Sequence, residues 1–378
     1  MKICIISNSH STTDVRLYYK MALSLAKIAE VHLITKSGVR NSAHNPFQAV
    51  VDTESNWYAL YLIYLAAKQL KPDLVICVEP LTMLAGIRLK RKTGCKVIFD
   101  VHEFFADAYA ERFPPVIGWI MKQFYLSFER RLQSHADAVT AVNQEILDQL
   151  LPRHGRSRGT YLPNYPVKHV WDYSCETPAE ISLICNMRFD LIYIGGLTRD
   201  RGVFKILESA AILKSSFPNL SVLILGKFFE ASVEREFNAM INDNNLNAIV
   251  YYQPWLPAEK IGLLLKRSRI GLWIFNPQNR RISKAVPLKV LEYFAAGLPV
   301  VTIDTPLMKD LVEKKELGVC CHYRARSIAD AVSGLLKLNK TQYREMSKRI
   351  MGITETEYNW EAVEPLLFKV VNKLAGTP

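Results

Sequence analysis

The sequence predicts an α/β chain built as two units, each a parallel sheet covered on both faces by helices. Three observations carry the prediction. Short β-branched apolar runs alternate with helical stretches in two successive series, and continuous apolar strands of this kind belong to sheets buried on both faces. A stretch with three prolines and no sustained period, between about Tyr161 and Phe189, separates the two series. The chain also has 378 residues, more than the roughly 250–300 at which a single core stops growing.

The first series opens with KICIIS (2–7), followed by a helix from Val15 to Ala29 and the strand EVHLIT (30–35). A helix around 57–70, DLVICV (73–78), a helix near 81–92 and KVIFDV (96–101) continue it, before a long helix at 116–134 and AVTAV (138–142). The second series runs DLIYIGG (190–196), a helix from Val203, LSVLILG (220–226), a helix near 231–244 and AIVYY (248–252). After it come a helix from Pro257, IGLWIF (270–275), a helix from Leu288 and LPVVTID (298–304), with closing helices at about 327–337, 341–354 and 359–374. These runs give domains at 1–165 and 189–356, a linker at 166–188 and a last segment at 357–378. Parallel sheets of this type bind ligands at the carboxyl ends of their strands.

Composition excludes several classes. Hydrophobic residues make up 49% and charged residues 22%, which rules out disorder, collagen-like repeats and a coiled coil. The seven cysteines show no Cys-x-x-Cys and no His at zinc-ligand spacing, so reduced thiols and a cytosolic compartment are expected, with the vicinal Cys320 and Cys321 in the core beside Val319. The opening Met-Lys-Ile-Cys-Ile-Ile-Ser turns polar at once, unlike a signal peptide. The longest apolar run, Trp57 to Ala67, has eleven residues, short of the roughly 17–25 that span a bilayer. Lys and Arg total 48 against 36 Asp and Glu, a net charge of +12. An anionic partner is implied: nucleic acid, an acidic membrane surface or a phosphorylated small molecule.

The densest chemistry lies in NRRISKAVPLKVLEYFAAGLPVV, where Arg280, Arg281, Lys284 and Lys289 precede or enter the helix that carries Glu292. Pro287 suits a first helical turn, and a helix N-terminus ringed by cations is a phosphate site. Lys289 and Glu292, three apart, share a face; one could hold a phosphate while the other accepts two ribose hydroxyls. The plainer account is a solvated basic loop ahead of a packing helix. A second turn, YIGGLTRDRGV, offers Gly195, Gly196 and Gly202 for close backbone approach, and Arg199 and Arg201 to clamp a diphosphate. The dinucleotide fingerprint G-x-G-x-x-G is absent.

Together with three further segments, these pieces resemble the GT-B glycosyltransferases, in particular the retaining family-4 group. SHSTTDVRLYYKMALSLAK is similar to the first-strand loop and helix of members that read Asp-x-Arg, giving Asp14 and Arg16. KVIFDVHEFF is similar to the Asp-x-His-Glu segment, giving Asp100, His102 and Glu103. YIGGLTRDRG resembles the donor loop, PLKVLEYFAAGLPVV the family's most specific run, and Tyr-Asn-Trp (358–360) the approach to a final helix. The resemblance covers essentially the whole chain. It implies two Rossmann-like domains facing a central cleft, with the C-terminal helix crossing back to the first.

The resemblance also implies roles. Glu292 binds the ribose of a nucleotide-sugar and Arg201 its diphosphate, with Gly195, Gly196, Arg199, Lys284 and Lys289 completing the donor site. His102, with Asp100, faces the donor sugar or reaction centre, and Asp14, Arg16 and Glu103 lie on the acceptor side. An acceptor hydroxyl attacks the anomeric carbon and a nucleoside diphosphate leaves, its charge met by cations and helix N–H groups without a metal; no Asp-x-Asp occurs. No cofactor is implied, the nucleotide-sugar (UDP- or GDP-linked) being a substrate. Two departures stand out: Lys284 replaces the first Glu of the family's Glu-x7-Glu pattern, and Gly196 replaces an Arg. Lys284 suggests pairing with a uronate donor. The departures also leave open a non-catalytic partner subunit, and the architecture a nucleotide-sugar epimerase.

Residues 1–183 carry 21 Lys and Arg against 17 Asp and Glu, and the remainder 27 against 19, so the net charges are +4 and +8. The excess in the nucleotide half favours phosphate binding over nucleic acid. Within the first half, FPPVIGWIMKQFYLSFERRL mixes aromatics with Lys122, Arg130 and Arg131, the composition of a helix that lies on an anionic membrane. A core-facing helix with a solvated edge is the plainer account of it, and the aromatic helix at 57–67 is expected to be buried against the sheet. The expected acceptor is a growing surface glycan or lipid-linked glycan, and the expected location the cytoplasm or the inner face of its membrane.

Overall fold

A computed structural model describes residues 1–168, 184, 186–256, 258–284 and 286–376. The chain divides into two compact units: Met1–Val167 with Trp360–Pro378, and Lys168–Asn359. Most of the expected linker lies outside the described residues. In the first unit, strands β1 (Lys2–Ile6), β2 (Glu30–Thr35), β3 (Phe47–Val50), β4 (Leu74–Cys77), β5 (Lys96–Val101), β6 (Ala138–Ala141) and β7 (Gly159–Tyr161) form one sheet. Its order is β3-β2-β1-β4-β5-β6-β7, parallel throughout. The two-sheet α/β expectation holds. β3 and β7 escape the sequence pattern because four and three residues at sheet edges are too few to show a period.

Helix α1 runs from Val15–Ala22, wound as a π-helix, into Leu23–Leu25. Asp14 starts it, its Oδ1 accepting the N–H groups of Arg16 (2.8 Å) and Leu17 (3.0 Å). Helices α2 (Asn56–Leu70), α3 (Pro80–Thr93), α4 (Phe105–Ala110), α5 (Pro115–Gln133) and α6 (Gln144–Leu150) follow. Side chains of all five pack into one cluster with Val75, Val97, Phe99 and Val139 of the sheet. The opposite face is covered by Leu17, Met21 and Leu25 of α1 and by residues of the C-terminal helix. α2 departs from expectation. Ala59, Leu60, Ile63, Tyr64 and Ala67 are buried, but Trp57, Tyr58 and Tyr61 are exposed, because a sheet can cover only one side of a helix that is apolar nearly all round.

The second unit holds β8 (Phe189–Leu197), β9 (Val222–Phe228), β10 (Val250–Gln253), β11 (Ser268–Trp273), β12 (Val300–Ile303) and β13 (Gly318–Cys321). Their order is β10-β9-β8-β11-β12-β13, again parallel. Its helices are α7 (Val203–Leu213), α8 (Ala231–Asp243), α9 (Ala258–Lys266), α10 (Arg280–Lys284), α11 (Leu288–Ala295), α12 (Pro306–Met308 continuing as Lys309–Glu313), α13 (Ala325–Leu336) and α14 (Lys340–Thr356). α11 begins where Pro287 takes the N-cap. Gly271 lets it approach the sheet: a Cβ there would stand 2.4 Å from the Tyr293 ring. The Tyr293 hydroxyl accepts the N–H of Ile194 (2.9 Å) and donates to the carbonyl of Leu272 (3.2 Å), which pins α11 to β8 and β11.

The last helix, α15 (Trp360–Ala375), belongs to the first unit. Trp360 is fully buried there; its Nε1 donates to Ser24 Oγ (2.9 Å) and its backbone N–H to the carbonyl of Pro166 (2.8 Å). Lys27 and Glu364 pair at 2.6 Å beside it. Cys4, Cys77, Cys95 and Cys321 are buried thiols and Cys320 is half-buried; Cys175 and Cys185 lie outside the described residues. Among the described residues, no helix is long and apolar enough to cross a membrane.

Candidate functional site

In each sheet the chain starts at the centre and then reverses direction, so β1 lies between β2 and β4, and β8 between β9 and β11. Loops leaving neighbouring strands at such a reversal diverge and open a crevice at the strands' carboxyl ends. Both crevices carry the polar residues singled out above.

In the first unit, β1 ends in Ser7-Asn8-Ser9-His10 and β4 in Glu79. Glu79 is buried, and its carboxylate accepts the hydroxyls of Ser7 and Ser9 (2.6 Å for the latter) and the N–H of Asn8 (3.3 Å). Burial pushes its pKa up, against these hydrogen bonds. His10 sits between two carboxylates: Nδ1 is 3.0 Å from Asp14 and Nε2 3.7 Å from Glu79. Burial opposes charge on this ring, but the hydrogen bond and charge of Asp14 outweigh it and raise the His10 pKa. Asp14 mirrors the effect: burial works against its ionisation, His10 more than offsets that, and the carboxyl falls to about 2.

Behind this pair lies a buried ion pair. Arg16 Nε and Nη2 reach Asp100 Oδ2 and Oδ1 at 2.9 and 2.7 Å, and Thr140 Oγ1 donates to Asp100 at 2.6 Å. Burial would raise the Asp100 pKa, but the Arg16 charge and hydrogen bonds lower it. His102 follows β5 directly. Its ring meets His10 edge-on at 4.6 Å and Phe105 at 5.4 Å. Both ring nitrogens are buried with no hydrogen-bond partner among the described residues. Burial, then the charge of His10, lower its pKa to about 4, so the imidazole is neutral near pH 7. A neutral, orphaned imidazole retains one donor and one acceptor for a bound hydroxyl.

In the second unit, Gly195 and Gly196 close β8 around the Tyr193 hydroxyl, which donates to the Gly196 carbonyl at 2.9 Å. Gly202 starts α7 with φ +68°; a Cβ there would sit 2.7 Å from Ile274. The turn between is tied to the loop after β11: Asn276 and Asn279 donate to the Asp200 carboxylate at 3.2 and 3.0 Å. Arg201 is half-buried and makes no ion pair among the described residues. On α11, Lys289 Nζ meets Glu292 Oε2 at 2.7 Å and lies 5.3 Å over the exposed Trp255 ring. Glu292 is buried, yet its Oε1 takes no protein donor among the described residues.

The structure brings Asp14, Arg16, Asp100 and His102 to one strand end, with the exposed Glu103 beside them. Asp100 and Arg16 are buried there and paired with each other inside the core. In the second unit, Arg199 is exposed and pairs with Glu236 on α8 through two hydrogen bonds, stacking 5.1 Å from the Phe204 ring; its charge is spent away from the turn. Lys284 is exposed at the end of α10; the side chains of Arg280 and Arg281 lie outside the description. Sequence reasoning missed His10, Glu79, Asp200, Asn276 and Trp255. Only His10 left a signal, at four residues from Asp14 on the chain.

Comparison with known proteins agrees in both halves. Residues 15–165 match the profile of Glycosyltransferase Family 4, and residues 178–350 that of Glycosyl transferases group 1. The chain is 26% identical over 169 residues to the UDP-glycosyltransferase TURAN of Arabidopsis thaliana, covering 43% of this chain and 35% of that protein. It is 27% identical over 112 residues to the chitobiosyldiphosphodolichol beta-mannosyltransferase of Mus musculus, covering 30% of this chain and 22% of that protein. The matches thus span about a third or less of these curated relatives. Among solved structures, the fold is similar to that of Anabaena HepE in complex with UDP, with a TM-score of 0.72 and 14% identity over 99% of this chain and all of that one.

Proposed function

The chain belongs to the family-4-like GT-B glycosyltransferases, and from that premise we propose that it transfers a sugar from a nucleoside-diphosphate sugar to a hydroxyl of a glycan or lipid-linked glycan. The observation that carries the proposal is Glu292: a buried carboxylate at a strand-end crevice, one oxygen held by Lys289 and the other open to a ligand. An acceptor with one free oxygen suits the paired hydroxyls of a ribose. Arg201, with no ion pair among the described residues, suits the diphosphate. The presence of UDP in the HepE structure and in the TURAN name supports a uridine donor. The dolichol-linked acceptor in the mouse relative's name supports a lipid-linked one.

In the proposed reaction the acceptor oxygen bonds to the anomeric carbon and the carbon–oxygen bond to the diphosphate breaks. The acceptor proton leaves with the diphosphate. Arg201, Lys289 and the free N–H groups of α11 meet the developing charge without a metal ion. In the first unit, neutral His102 offers one donor and one acceptor to a bound hydroxyl, while Arg16 and Asp100 hold the end of β5 in place for it. The product is proposed to retain the donor's anomeric configuration and to enter cell-surface polysaccharide. Lys284 points to a uronate donor.

Calorimetric titration with UDP and GDP tests the donor site. Glu292→Gln removes the charge that strengthens hydrogen bonds to the ribose, so affinity falls roughly 10- to 150-fold; unchanged affinity refutes the assignment. Turnover in EDTA, NMR of the product's anomeric proton, and a panel of neutral and uronate donors check the metal, retention and sugar proposals in turn.

A further inference from the structure

On the first unit, α2, α3 and α5 present a surface that nucleotide binding leaves unused. Along α5, Val116, Trp119, Ile120 and Phe124 are 76%, 66%, 54% and 67% exposed. Their spacing i, i+3, i+4, i+8 places them on one stripe, and Arg131 continues it. The core is served by the opposite side of the helix, through Gly118, Leu126, Glu129 and Leu132. The helix is thus core-facing on one side, but its exposed edge is largely apolar. On α2, Trp57, Tyr58 and Tyr61 are exposed in the same way.

Between α3 and α5 runs a groove of about 600 Å³ lined by Leu84, Ile87, Arg88, Arg91, Lys92 and Arg131, among others. The charge on the three helices is one-sided. They carry Lys68, Arg88, Lys90, Arg91, Lys92, Lys122, Arg130 and Arg131, and a single carboxylate, Glu129. Glu129 is buried, and burial followed by the charge of Asp107 pushes its pKa up to about 8, leaving it protonated at neutral pH. Lys90 and Lys122 are neutralised by Asp137 and Asp107. The other six cations have no carboxylate partner among the described residues.

We propose that this face docks on an anionic phospholipid bilayer, with the α5 stripe and the α2 aromatics in the interface and the groove cations on lipid phosphates. Apolar side chains beside an unopposed cluster of Lys and Arg are what such a surface accommodates. A second copy of the chain fits poorly: a two-fold contact would set this cationic patch against its own image. A nucleic acid would pair the cations but leave Val116, Ile117 and Ile120 nothing apolar to meet. The inference is independent of the donor reading, since none of these residues belongs to either strand-end crevice.

The test is co-sedimentation of the full chain with phosphatidylcholine vesicles, pure or containing about a third phosphatidylglycerol. The protein should pellet with the anionic vesicles and stay in solution with the neutral ones. Removing two cations in Arg91→Gln/Arg131→Gln should weaken binding on the order of 30-fold. Trp119→Ser/Phe124→Ser should abolish it; both side chains are exposed, so the melting temperature and UDP affinity of the same preparation should hold. Failure to pellet at low salt, or equal binding to neutral vesicles, overturns the proposal. So does a dimer in sedimentation velocity that dissolves in Trp119→Ser/Phe124→Ser without any vesicle binding.

Discussion

Replacing Arg16 by Met tests whether the Arg16–Asp100 pair is the strut beneath the first crevice. Both groups are buried, and two guanidinium nitrogens meet two carboxylate oxygens at 2.9 and 2.7 Å. Removing one partner leaves a charge in the core, which costs about 3–5 kcal/mol. For a unit of this size that lowers the melting temperature by roughly 6–20 °C. The pH dependence has a definite sign. In the natural chain the Asp100 pKa lies below its ordinary 3.8, so the pair stabilises above that pH and its contribution is lost as pH falls through the folded value. Without Arg16, burial pushes Asp100 upward instead. The folded state then binds the proton more tightly, and the deficit is largest at neutral pH and shrinks on acidification. The double variant Arg16→Met/Asp100→Asn removes the charge and keeps an oxygen for Thr140 Oγ1, so it should recover most of the loss. The assay is scanning calorimetry of all three chains between about pH 4 and 7, spanning the ordinary carboxylate range and neutrality. A single-variant loss under about 1 kcal/mol, as for a surface pair, or a deficit that grows on acidification, would refute the reasoning.

Two further predictions concern the same unit. By NMR titration, His102 should stay neutral from pH 8 to its pKa of about 4, while His10 titrates above the ordinary 6.5; Asp14→Asn should bring His10 down, and an unmoved His10 would show that Asp14 is not the cause. Trp360→Ala should cost about 3–5 kcal/mol, since the indole is fully buried with its N–H on Ser24. A loss below about 1 kcal/mol in urea unfolding would mean that α15 is not docked as described.

Much of this was legible from order along the chain. The apolar runs at 2–7, 73–78, 96–101, 190–196 and 270–275 each became a central strand, because a strand buried on both faces is apolar at nearly every position, and the buried Asp100 of β5 is matched by Arg16. Pro287 announced the start of α11, since proline lacks the N–H that a helix interior would use. The short edge strands β3 and β7 were illegible for want of length. The apolar run 57–67 showed a helix but not which side of it would be left outside.

The sequence by itself therefore determined the two parallel sheets, their helices and the ends at which chemistry collects. These follow from local periodicity and from the one direction in which parallel strands can run. Tertiary structure alone decided which charges remain available. Arg16 is joined to Asp100, 84 positions away, and Arg199 to Glu236, 37 away, while Arg201, two residues from Arg199, makes no ion pair among the described residues. Likewise Glu79 reaches His10 only because β1 and β4 lie side by side. Coulomb energy and hydrogen bonding act over a few ångströms of space, and folding is what brings such distant positions that close.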